Sequence, residues 1–243
     1  MQIAIDSPRQ GLDEEQLREA VLVSLMGLQP KRLLLVADDR PGSGAGELVR
    51  QYYWMLRAIL EVKILPATGS RGPLDRAARE ALYGADIPEE AYLTRGESEE
   101  VGVLEAELVG RLTGGRLERA LPVTLDRAIT DCTFDLVYVI GQVTGDPVCG
   151  VTGYTQQLLE HCGGEEFGAA LRTLEPSRDW EGCPARALCD AAEERFLLNR
   201  YPIVYLMTVT TRQEGETRIN GLYVGRKRSL FEQAARLAVE LEG

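Results

Sequence analysis

The scarcest chemical resource in this sequence is histidine: His161 is the only one in 243 residues. A Ser-His-Asp triad therefore has a single base to offer, and no Gly-x-Ser-x-Gly elbow presents a serine to it. Five cysteines (Cys132, Cys149, Cys162, Cys183 and Cys189) make an odd set without a CxxC pair. Only His161, Cys162, Cys183 and Cys189 could gather as metal ligands. Adjacent ligands followed by a gap of about twenty residues match no zinc spacing, so no metal site is expected and reduced thiols in or near the core are.

Three loops carry the other reactive residue types: Ala37–Gly46, Pro66–Pro73 and Gly141–Gly153, all rich in Gly, Asp, Thr and Ser. Glycine lets backbone N–H groups approach an anion, and a following helix start adds a favourable dipole. The ligand-facing candidates are Asp38, Asp39, Arg40, Thr68, Gly69, Gly150, Thr152, Gly153 and Gln156. Arg71 and Asp146 are the catalytic candidates, since an Arg opposite an Asp can clamp a carboxylate and remove a proton. Two plainer readings compete. Turns of α/β proteins use glycine for backbone geometry whether or not anything binds, and Arg71 and Asp146 could pair on the surface or cap turns. No dinucleotide fingerprint and no Gly-Lys-Ser/Thr phosphate loop is present.

The elements that must position these loops follow from the apolar patterning. Lys31–Asp38 and Asp135–Gly141 are nearly continuous apolar runs, as in strands buried on both faces of a parallel sheet. Helices are read over Asp13–Leu25, Glu47–Leu60, Asp75–Tyr83, Leu125–Cys132, Thr152–His161, Pro184–Leu198 and Ser229–Leu241, the last with Ser229 as N-cap. Gln2–Ile5 reads as an edge strand, Val62–Leu65 as a further strand, and Ile203–Thr211 and Arg218–Val224 as strands joined near Glu214-Gly215. Val101–Val109 and Arg116–Leu121 flank Gly114-Gly115 and read as an inserted β-hairpin over residues 101–121, while Gly163–Trp180 reads as irregular. The fold class is thus α/β, a doubly wound and mostly parallel sheet with an inserted hairpin, in one domain over 1–243.

Composition sets the outer bounds. A 44% apolar content suits a chain that buries a core. No apolar run approaches the ~18 residues of a membrane span, and MQIAIDSPRQ is no signal peptide, so a cytoplasmic protein without membrane partners is expected. The net charge of −11 would repel nucleic acid. Arg226-Lys227-Arg228 is the only dense basic cluster and reads as solvated surface.

At the three loops the chain resembles the N-terminal domain of the lactate racemases that carry a nickel-pincer nucleotide. The resemblance rests on Asp38-Asp39-Arg40-Pro41, on Ala67-Thr68-Gly69-Ser70-Arg71-Gly72-Pro73, and on Asp135–Gly141 with Gly150–Gly153. Val123–Ala128 and Asn199–Gly225 extend it over most of the chain. In that family the first loop helps hold the cofactor phosphate, and histidines in the second and third loops act as paired bases. A lysine is bonded to the cofactor, and a further histidine ligates nickel. Here the second-loop histidine is replaced by Arg71 or Ser70, the third-loop histidine by Asp146 and the lysine by Gln156. His161 falls too early to stand for the nickel ligand. Glutamine cannot take the place of the covalent lysine and arginine is no base at neutral pH, so no cofactor is expected.

Three readings remain open. The chain is a non-catalytic relative binding a small anionic ligand or a partner, an isomerase of the racemase/epimerase type with substituted residues, or a subunit completed by a companion chain or a second copy.

Overall fold

The computed structural model describes residues 2–177 and 179–242. The chain opens with β1 (Ile3–Asp6), α1 (Glu14–Ser24), β2 (Arg32–Asp38), α2 (Ala45–Leu56) and β3 (Glu61–Ala67). A 3-10 turn at Gly69–Arg71 and α3 (Arg76–Tyr83) follow. The middle holds β4 (Ser98–Leu104), α4 (Ala106–Leu112), β5 (Leu121–Asp126) and α5 (Arg127–Thr130). Then come β6 (Leu136–Gln142), β7 (Thr144–Asp146), β8 (Gly150–Thr152), α6 (Thr155–Cys162), α7 (Glu165–Arg172) and α8 (Pro184–Ala192). A π-helical turn at Glu193–Leu197 leads to β9 (Ile203–Gln213), β10 (Glu216–Gly225) and α9 (Arg228–Glu242).

The main sheet has the order β1-β10-β9-β6-β2-β3. Strands β3, β2, β6 and β9 run parallel, and β10 and β1 add antiparallel at one edge. The protein is therefore α/β with a mostly parallel central sheet. The apolar run of β2 explains its central place. Leu33, Leu35 and Ala37 face a core shared with α1 and α2, and Leu34 and Val36 face the core beneath α6 to α9. From β2 the chain winds to β3 on one side, and from β6 to β9 on the other. The crevice beyond the carboxyl ends of β2 and β6 is thus a switch point, where ligands of such sheets sit.

Local chemistry fixes the elements around it. Asp13 caps α1 through a box with Gln16, at 2.8 and 3.0 Å. The Asp135 carboxylate accepts the backbone N–H groups of Lys31 and Arg32 at 2.7 and 2.9 Å, tying the entry of β6 to that of β2. Gly46 lets α2 press on the end of α3, because a Cβ there would lie 2.0 Å from the Leu82 carbonyl oxygen.

Several elements differ from the sequence expectation. The inserted antiparallel pair exists, but as β4 with β5 rather than as a tight hairpin. Helix α4 and the Gly114-Gly115 turn fill the connection, because Leu108 and Val109 bury one helical stripe there. The stretch read as irregular contains α7, which buries Phe167, Ala170 and Leu171. The helix expected from Leu125 is the single turn of α5, since Leu121–Asp126 is strand. Ser229 lies inside α9, which starts at Arg228, and is not its cap.

Candidate functional site

A cleft of about 400 Å³ opens beyond the carboxyl ends of β2, β3 and β6. Each of the three loops contributes to its wall: Arg40 from the first, Thr68, Gly69 and Arg71 from the second, Asp146 from the third. Helix α6 supplies Gln156, and with it Glu160 and His161; Arg172 enters from the end of α7.

The two loop arginines are held from behind by buried carboxylates. Arg40 donates from Nε to Asp38 at 3.0 Å and from Nη2 at 2.6 Å, while the Asp38 side chain is fully enclosed. Burial opposes the Arg40 charge, but the Asp38 bonds and the charges of Asp38 and Asp39 outweigh it and hold the guanidinium above its ordinary value. Arg71 pairs with the buried Asp39 and also donates from Nε to the Thr68 carbonyl at 3.3 Å. Fixed this way, each guanidinium keeps donors that can face a ligand while its orientation is set in advance. Thr68 lines the cleft, and its hydroxyl is buried with no hydrogen-bond partner among the described residues.

Asp146 is differently employed. Its Oδ1 accepts the N–H groups of Val148 and Cys149 at 2.9 and 2.7 Å, closing the turn between β7 and β8. Arg71 and Asp146 thus line one cleft without pairing with each other, and the carboxylate caps a turn. Gly150, Thr152 and Gly153 do not line the cleft. Gly150 and Thr152 form β8 against Asp146 and Thr144, and the Gly153 carbonyl accepts Arg186 Nη1 at 3.2 Å. Asp38 and Asp39 lie behind the arginines rather than on the wall.

Gln156 is 2% exposed, and its Oε1 accepts Arg186 Nη2 at 3.1 Å. Arg186 is itself buried, donates to the Val151 carbonyl at 3.1 Å and stacks 4.2 Å above the Phe231 ring. Beneath it, burial lifts the Glu193 carboxyl to about 7, against hydrogen bonds to Tyr154, Thr155 and Tyr205 that pull the other way.

Glu160, His161 and Arg172 are site residues that the sequence reading did not select. For Glu160 alone a sequence signal existed, since it lies one helical turn beyond Gln156 on the same face; His161 and Arg172 had none. Burial, and then the nearby Asp146, raise the Glu160 carboxyl above its ordinary value. Burial lowers His161, so its ring is neutral at neutral pH. His161 Nδ1 lies 3.1 Å from the Ala67 carbonyl, which can only accept. Nδ1 therefore carries the proton, and Nε2 keeps its lone pair. A carboxyl shifted up and an imidazole shifted down in one cleft form a combination suited to proton transfer.

A larger groove of about 530 Å³ lies between the Gly11 turn, the start of α2 and Ile219. It holds none of the candidate residues, and its Arg50 is paired with Glu47. The chemistry converges on the smaller cleft.

No family model and no curated protein matches this chain. Solved structures do. A structural-genomics protein from Thermotoga maritima superposes with a TM-score of 0.82 at 20% identity, over 98% of this chain and 60% of that one. The lactate racemase apoprotein from Thermoanaerobacterium thermosaccharolyticum superposes with a TM-score of 0.65 at 16% identity, over 98% of this chain and 59% of that one. The fold is lactate-racemase-like, and the chain spans about three-fifths of the length of these two proteins.

Proposed function

We propose that this lactate-racemase-like domain binds a small anionic ligand, a carboxylate or phosphate, in the cleft between Arg40, Arg71 and Arg172, without nickel-pincer chemistry. The observation that carries the reading is the convergence of three arginine side chains on one cleft. Guanidinium forks bind carboxylate and phosphate oxygens through paired N–H donors.

The side chains do not fit the nickel-pincer nucleotide of the resembling family. That group needs a lysine amine for covalent attachment, and the three lysines of the chain (Lys31, Lys63 and Lys227) are not among the residues lining the cleft. At the resembling position stands Gln156, whose amide oxygen is engaged by Arg186. One histidine lines the cleft, and its Nδ1 faces a carbonyl. We derive no step through that cofactor.

A thermal-shift titration with inorganic phosphate, glycolate and the two lactate enantiomers tests the reading, since a ligand of the native state raises the melting temperature. At least one of these anions should stabilise the protein, and Arg40→Ala or Arg71→Ala should each weaken the effect ~10-fold or more in apparent affinity. The reading falls if no anion shifts the wild-type protein. It loses its nickel clause if metal analysis of the purified protein finds stoichiometric nickel.

One observation favours a second reading, an isomerase acting on a hydroxy acid. The His161 lone pair shares the cleft with the arginines and can act as the base while they clamp the carboxylate. Exchange of the substrate α-hydrogen with deuterated water, lost in His161→Gln, would support it.

A further inference from the structure

We infer that His161 makes the cleft select oxyanions that bring a proton of their own, such as hydrogen phosphate, over those that bring none, such as sulfate. The inference rests on the anion-binding reading and names the class of anion that the same cleft accepts.

The imidazole is fixed along one edge. His161 stands near the carboxyl end of α6, and its Nδ1 lies 3.1 Å from the carbonyl oxygen of Ala67, the last residue of β3. The ring also rests against the second loop, since a Cβ at Gly69 would stand 3.7 Å from Nδ1. A carbonyl oxygen only accepts, so the single proton of a neutral ring sits on Nδ1. Nε2 is left as a bare acceptor, with no hydrogen-bond partner among the described residues.

The surroundings keep that lone pair free at neutral pH. Burial, first, holds the ring below its ordinary value; of the charges that face it from the first two loops, Asp38 and Asp39 favour protonation while Arg40 and Arg71 oppose it. On the rest of the wall, Arg40 and Arg71 are each matched by a carboxylate behind them, and Glu160 and Asp146 stand with Arg172. Net charge cannot separate two dianions of one shape. The pattern of donors and acceptors decides between them.

Hydrogen phosphate and sulfate are both tetrahedral dianions and differ by one hydrogen. Hydrogen phosphate can donate its P–O–H to Nε2 and offer its other oxygens to the guanidinium groups. Sulfate has acceptors only, so any oxygen that approaches Nε2 meets a lone pair. Relief requires that the ring take up a proton against its burial, or that the anion give up an arginine. A site with a fixed acceptor rejects the ligand that lacks the matching donor.

Calorimetric titration of the full chain at pH 8 with sodium phosphate and sodium sulfate, at matched ionic strength, reads the selectivity directly. Phosphate should bind at least ~10-fold more tightly. His161→Leu should bring the two affinities within about twofold of each other, through loss of phosphate affinity while sulfate is held or improved. Glu160→Gln should tighten both and keep the ratio. Because His161 is the sole histidine, its ring nitrogens can be followed by NMR in the wild-type chain, whether or not the leucine variant folds. Phosphate should move the Nε2 signal toward that of a hydrogen-bonded acceptor, and sulfate should move it far less. The inference is overturned if wild type binds the two anions equally, if the ratio survives in His161→Leu or collapses in Glu160→Gln, or if phosphate leaves Nε2 unmoved. Equal binding would leave the anion-binding reading standing; binding of neither anion would remove both.

Discussion

Arg40 reaches back two residues to grip Asp38, with its Nε 3.0 Å from both carboxylate oxygens and its Nη2 2.6 Å from Oδ2. The Asp38 side chain is 0% exposed and that of Arg40 31%, so the carboxylate is structural and the guanidinium is presented. Asp38→Asn separates orientation from charge. Losing the carboxylate should cost ~1–3 kcal/mol in denaturant unfolding, because a buried charge-assisted network is broken. If presentation governs binding, calorimetry with inorganic phosphate should show affinity reduced several-fold despite the added positive charge. A tighter complex would mean that net charge alone governs the cleft.

Acidification should strengthen anion binding. Burial and Asp146 raise Glu160, so it sheds its negative charge at a higher pH than a free carboxyl; burial lowers His161, so it gains its positive charge at a lower pH than a free imidazole. Both changes favour an anion in the cleft. The apparent affinity for a strong-acid anion such as sulfate, which does not itself titrate there, should rise steadily from pH 8 to pH 5. Glu160→Gln should bind more tightly at pH 8 and show a flatter profile.

Folding stability should carry a signature of Glu193. Its carboxyl stands at about 7 in the folded chain, raised first by burial, against ~4.3 when unfolded. The folded state therefore holds the proton more strongly. The resulting stabilisation is complete below ~4.3, is lost as pH rises through 7, and amounts to roughly 4 kcal/mol at most. Glu193→Gln removes this loss. Melting curves of variant and wild type should agree near pH 4.5 and separate by pH 8, with the variant higher.

Gly46→Ala should be among the costlier single-methyl additions in the molecule. The added Cβ would stand 2.0 Å from a backbone oxygen of Leu82 that cannot rotate away, so α2 and α3 must separate. A loss of ~1–3 kcal/mol is expected by chemical denaturation. Because α2 follows directly on the first cleft loop, phosphate affinity should fall as well.

What the sequence disclosed follows from how each element is encoded. Lys31–Asp38 and Asp135–Gly141 were legible because a strand buried on both faces must be apolar at nearly every position, and they are the central β2 and β6. Their loops therefore stood at one edge by topology alone, and Arg40, Arg71 and Asp146 line one cleft. Helix α7 was hidden because Gly163 and Gly164 precede it, Gly168 interrupts it, and eight residues show its apolar stripe barely twice. Helix α4 was mistaken for strand because Leu108-Val109 continues an apolar pattern begun in β4. Glu160 was hinted at by its spacing from Gln156, but that it and His161 reach the cleft depended on how α6 leans on the second loop. Gly69, at φ +60°, lies close against them, a Cβ there being 3.5 Å from the Glu160 carbonyl oxygen. No local pattern encodes that approach, since it arises from packing between segments about ninety residues apart.

The antiparallel edge of the main sheet bears on how the chain folds. Strand β1 pairs only with β10, Ile3 opposite Val224 and Asp6 opposite Gly221. Partners so far apart in sequence bring a large loop-closure cost, so this pairing is among the contacts expected to form late in folding. Until β1 docks, the edge of β10 presents unpaired backbone groups to which a strand of another chain could add, and the small β1 strand is what blunts that edge.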